Sequence, residues 1–148
     1  MKVFFYFISV FLASCTNKIP YESNKFYNDA SIIFKDYKYD IVYGRTNSQF
    51  TSLDLIVNKS NIQLSNLKKL QYEILKRGWV YNYDIDGYYW SYCKDNSESL
   101  RILFPDKKIV KTRDGTYFSS DLNPDTVYIW MRDYKSNEMN KEHAECGK

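Results

Sequence analysis

The clearest hydrophobic period in the chain runs over residues 62–77. Leu64, Leu67, Leu70, Gln71, Ile74 and Leu75 fall within about 140° of a helical wheel, while Lys69, Glu73, Lys76 and Arg77 fill the opposite side. The spacing predicts an amphipathic helix, and Gly78 stands where a left-handed C-terminal residue would end it. A second helix is predicted from Ser23 or Asn24, either of which can cap it, to about Asp36, with Phe26, Ala30, Ile33 and Phe34 along one side. Between these helices, residues 37–43 are rich in Tyr and β-branched side chains and predict a short strand stopping at Gly44. Residues 45–52 read as a polar loop. Residues 53–57 alternate Leu53, Leu55 and Val57 against Asp54 and Ile56, as a half-buried strand does.

Beyond Gly78 the pattern is that of strands. Residues 79–84 and 88–93 flank Ile85-Asp86-Gly87, and Asp-Gly between strand-like runs signals a hairpin. Residues 100–104 alternate Leu100, Ile102 and Phe104 against Arg101 and Leu103. A smaller hairpin is expected around Asp114-Gly115, joining residues 108–112 to 116–118. Asn123-Pro124-Asp125 makes a turn before a last strand over 127–131, and the tail over 134–148 is polar. The sum is an α+β domain: a largely antiparallel sheet of about 5 to 6 strands with two helices packed on one face and the other face partly wet.

The first fifteen residues follow a different rule. Lys2 precedes a nearly unbroken apolar run, which ends in Leu12-Ala13-Ser14-Cys15. The run is too short to span a bilayer, which takes roughly 20 apolar residues, and it has the layout of an export signal. Leu-Ala-Ser-Cys after such a run resembles the lipobox of bacterial lipoproteins. The resemblance implies cleavage before Cys15, thioether lipidation of that cysteine and acylation of the new amino terminus. It divides the chain into a signal peptide (1–14), a lipidated tether (15–22), one domain (23–133) and the tail (134–148). It also implies an address in the cell envelope. Thr16, not aspartate, follows the cysteine, which by the same resemblance favours the outer membrane, facing the periplasm, in a host with two membranes.

Composition changes this picture little. The formal net charge of +3, or +2 after loss of Lys2, is too small and too dispersed for a nucleic-acid surface. Fifteen tyrosines look like a binding surface, but sixteen lysines against five arginines show the bias of AT-rich codons, which inflates Tyr as well. With Cys15 lipidated, Cys93 and Cys146 remain, and an even pair in an exported protein reads as a disulfide that staples the tail. Closing a loop of that length stabilises a fold by roughly 4 kcal/mol in the chain-entropy model.

Candidate chemistry is sparse. His143 with Cys146, Glu142 or Glu145 is a poor preformed metal site. Asp84 and Asp86, the tempting pair for glycan cleavage, sit at a hairpin tip where solvated acids are normal. No metal or other cofactor and no catalytic residue is expected. The most distinctive stretch is the aromatic hairpin over 79–93. Alternation puts Trp79, Tyr81 and Tyr83 on one side of its first strand, and Tyr88, Trp90 and Tyr92 on one side of its second, with Tyr89 opposite. One set belongs to the core, and the other either forms cross-strand pairs that stabilise the hairpin by about 0.2 to 1 kcal/mol each or serves recognition, because Tyr and Trp combine large contact area with a polar tip. Tyr83, Asp86, Tyr88, Tyr89 and Trp90 are the expected partner-binding residues. If Trp90 anchors the core, Tyr89 takes the exposed role. The expected activity is non-catalytic protein binding at the membrane, with an immunity protein that neutralises a periplasm-delivered toxin as the specific case. The alternative is a glycan-binding or envelope-assembly accessory.

Overall fold

The computed structural model describes residues 20–105, 122–134 and Cys146. The expected signal peptide (1–14), Cys15, the hairpin expected around Asp114-Gly115 and His143 lie outside the described residues. Within them, a 3-10 turn precedes helix α1 (Lys25–Ile33), followed by strands β1 (Tyr39–Thr46) and β2 (Phe50–Asn58) and helix α2 (Leu67–Lys76). Strands β3 (Val80–Ile85), β4 (Tyr89–Lys94), β5 (Glu98–Leu103) and β6 (Thr126–Tyr134) complete the order.

The six strands form one antiparallel sheet in the order β1-β2-β6-β5-β4-β3. The last strand therefore closes the β3-to-β6 meander by pairing with β2. The fold is α+β, as the periodicities require. Both helices cover one face, and Leu53, Leu55, Val57, Trp90, Tyr92, Leu100, Ile102, Val127, Ile129 and Met131 meet Phe26, Ile33, Leu67, Leu70 and Ile74 there.

Local chemistry accounts for the boundaries. The Asn24 side chain caps α1 by accepting from the Phe26 amide at 3.0 Å, and its own amide donates to the Ser52 carbonyl at 2.7 Å, tying the helix start to β2. Gly78 ends α2 at φ 85°. Asp86 and Gly87 both have positive φ, and the Tyr88 amide donates to the Ile85 carbonyl at 3.1 Å, so the hairpin turn is the primed type that this dipeptide favours.

Three sequence expectations are corrected. Strand β1 does not stop at Gly44 but runs to Thr46, and the expected loop is a short connection into β2. A Cβ at position 44 would lie 2.8 Å from the Tyr21 ring, so the glycine admits that ring over the strand instead of ending it. The stripe of α2 is narrower than the wheel suggests: Leu67, Leu70 and Ile74 are buried, but Leu64 and Leu75 face outward. Residues 64–66 form a 3-10 turn, which breaks the helical phase before α2 begins. Finally, a bulge at Asn82 puts Tyr81 opposite Tyr92 and Tyr83 opposite Ser91, on different faces of the sheet. Edge strand β1 has a matching irregularity at Val42, and bulges on both edges discourage strand addition.

One buried carboxylate locks the helices to the sheet. Asp29 of α1 accepts from Arg77 Nε at 3.0 Å and Nη2 at 2.5 Å, from Trp79 Nε1 at 3.1 Å and from Lys94 Nζ at 3.1 Å. Burial alone would raise its pKa, but hydrogen bonds and charge from Arg77 and Lys94 outweigh that and hold it below the usual carboxylate range. On the other flank, Lys25 bridges Glu98 at 2.5 Å and Asp133, and Ser97 Oγ donates to Asp133 at 2.8 Å.

Candidate interaction face

The face of the sheet away from the helices carries the candidate site, and its two halves differ. Over β4 and β5 it is closed. Tyr89 and Leu103 pair across the ladder, are 0 % exposed, and gather Tyr83, Ile85, Leu122, Tyr128 and Trp130 around them. Ser91 and Ser99 on the same face are buried too. Cys93 is joined to Cys146 with their Cα atoms 5.5 Å apart, and Cys146 Sγ lies 3.2 Å from the Glu98 carbonyl. The disulfide thus holds the chain near its C-terminus against this closed half. The expectation of a partly wet face fails here.

It holds over β1, β2 and β6. Cross-strand register aligns Asp40, Ile56 and Tyr128 in one row, Tyr43, Asp54 and Trp130 in the next, and Arg45, Ser52 and Arg132 in a third. The Tyr128 and Trp130 rings stack with centroids 5.9 Å apart and planes 13° from parallel. The Tyr128 hydroxyl accepts from the Asn123 amide at 2.9 Å, which orients the ring. Arg132 grips Asp54 through both oxygens, with Nη2 2.9 Å from Oδ2. Arg45 lies over the Phe50 ring at 5.3 Å. Tyr43 and Arg45 are exposed, while Ile56, Tyr128, Trp130 and Arg132 are half-buried. The result is a half-open surface, a platform on which Tyr43, Ile56, Tyr128 and Trp130 surround the central Asp54–Arg132 pair, with Asp40 and Arg45 at its corners.

The residues expected to bind a partner are distributed differently. Trp90 is 5 % exposed in the main core, with its ring edge-on to Phe104 at 5.4 Å, and Tyr89 is fully buried on the opposite face. Neither can contact a partner in this conformation, so both assignments are corrected. The physical reason is that the hairpin is an inner part of the sheet on its β4 side, and both faces of β4 are covered. Tyr83 is half-buried and tilted against Tyr89 at 5.8 Å, and Tyr88 is half-buried between the two clusters. Burial, then the charge of Asp86, raise the Tyr88 phenol pKa, and burial above all pushes that of Tyr92 up to about 12. Asp86 is exposed at the tip, and Asp84 accepts from the Tyr81 hydroxyl at 2.5 Å, so the tempting acid pair contains one committed carboxylate. Among the described residues no group of three or more metal-ligating side chains gathers, and no helix is long and apolar enough to cross a membrane.

Sequence reasoning missed Tyr128, Trp130 and Arg132, although the signal was present. They alternate with Val127, Ile129 and Met131, so burying the aliphatic set on the helix side turns the aromatic set to the other face. No protein family, curated protein or solved structure matches this chain.

Proposed function

We propose that the chain is a lipid-anchored, non-catalytic protein-binding module of the bacterial envelope, and specifically an immunity protein that neutralises a toxin delivered to the periplasm. The supporting observation is the platform on β1, β2 and β6. Aromatic side chains backed by a sheet and set beside arginines suit a protein partner, because interface energy concentrates at well-packed aromatic and arginine side chains. Cys15 fits the anchor and, in a host with two membranes, Thr16 fits an outer-membrane address facing the periplasm, a setting in which such a toxin would act.

The half-buried Tyr128 and Trp130 rings favour one second reading, a glycan binder of the cell wall, since aromatic side chains that reach the surface are the groups on which sugar rings stack. The product of the neighbouring reading frame, directed to the periplasm, distinguishes the two. The immunity reading expects growth arrest that co-expression of this chain relieves, and a complex between the purified proteins. Absence of protection together with retention on purified peptidoglycan would replace it by the glycan reading.

A further inference from the structure

Leu64 and Leu75, which the helical period assigns to the core, point away from it at 56 % and 50 % exposure, and Tyr72 at 62 % stands directly opposite the buried stripe of α2. Lys68, Lys69 and Lys76 are exposed among them. Lys68, Lys69, Tyr72, Leu75 and Lys76 share about 120° of the helix surface, and that arc contains no acidic residue. Lys69 is tied to Asp36 at 2.8 Å. Neither Lys68 nor Lys76 forms an ion pair among the described residues. The apolar margin continues onto the sheet. Exposed Tyr81 lies edge-on to Tyr92, whose hydroxyl is beside Gln71 of α2.

Apolar and tyrosine side chains interleaved with lysines match the chemistry of an anionic bilayer surface, and two carboxylates at the margin of this face, Asp36 and Asp84, are held by Lys69 and Tyr81. Leucine and tyrosine enter the headgroup boundary, and lysine stems lie along it with their ammonium groups at the phosphates. We propose that the outward face of α2 rests on an anionic lipid surface and so fixes the orientation of the anchored domain. The proposal rests on the lipid-anchor reading only for the nearness of a bilayer, and it concerns a surface distinct from the platform on β1, β2 and β6.

The test uses the processed, full chain reconstituted with vesicles of phosphatidylcholine alone or of phosphatidylcholine with phosphatidylglycerol. A neutral, water-soluble acylating reagent is applied, and modification of Lys68 and Lys76 is read by mass spectrometry relative to Lys59. Each lysine near an anionic surface strengthens attachment by about five-fold. Acylation of Lys68 and Lys76 should therefore slow by at least about three-fold on the anionic vesicles and recover at high salt, where such attraction is screened. The Tyr72→Ser, Leu75→Ser double variant, altered only at exposed positions, should remove the slowing. Equal rates on both vesicles, or a slowing that follows protein concentration as a second copy on this face would give, overturns the proposal. A chain that floats with anionic but not neutral vesicles overturns the lipid anchor and supports this face. One that floats with neither overturns both.

Discussion

Asp29→Ala removes the acceptor shared by four donor groups on three residues. Arg77 Nε and Nη2, Trp79 Nε1 and Lys94 Nζ all lose their partner. Breaking a buried ion pair from one side costs about 3 to 5 kcal/mol, but the Arg77 and Lys94 side chains are 32 % and 31 % exposed, so water recovers part of that. The Trp79 indole is buried, and an unsatisfied buried donor costs about 1 to 3 kcal/mol. We expect a net loss of about 2 to 4 kcal/mol at neutral pH, read as a lower urea midpoint with unchanged slope. The effect has a pH signature. The folded-state pKa of Asp29 is depressed, so its stabilisation is complete above the unfolded carboxylate value of about 3.9 and fades as pH falls through the folded value. The gap between wild type and variant should therefore narrow in acid. A variant with an unchanged midpoint at pH 7, or a gap that widens in acid, refutes the clamp.

Trp90→Ala should cost roughly 3 to 5 kcal/mol, measured by thermal or urea unfolding, because the ring fills the main core beside Phe104; near-native stability would mean that it is not a core anchor. Thiol titration of the exported, unreduced protein should find neither Cys93 nor Cys146 free, and Cys93→Ser should lower stability by up to roughly 4 kcal/mol, the loop-closure value. Two reactive thiols refute the pairing. Cys15→Ser should abolish metabolic lipid labelling, and labelling that persists excludes Cys15 as the acylated residue.

The architecture was legible because each helix and most strands carry their own period. The Asp86-Gly87 turn was legible because few dipeptides accept two consecutive positive φ values. The helix phase at Leu64 was not, because the 3-10 turn that shifts it depends on how the chain leaves β2. The face assignment of Tyr83 was hidden by a bulge, since a single unpaired residue reverses every later side chain. Aromatic density misdirected the site for a related reason. Tyr and Trp serve cores and interfaces alike, and burial of Tyr89 on the far face depends on long-range packing from Leu122, Tyr128 and Trp130. The platform itself is assembled from β1, β2 and β6, strands distant in sequence, and Asp54 meets Arg132 only after β6 closes the sheet.

In the proposed function the platform, not the aromatic hairpin, contacts the partner. The measurement is the change in affinity for the product of the neighbouring reading frame, the proposed partner, on replacing exposed Tyr43 or half-buried Trp130 by alanine, set beside Asp86→Ala at the hairpin tip, with unfolding midpoints measured for each. At least one platform variant that remains folded should lose at least about 2 kcal/mol in binding, with Asp86→Ala near wild type. Full affinity in both folded platform variants, or loss confined to Asp86→Ala, would contradict it.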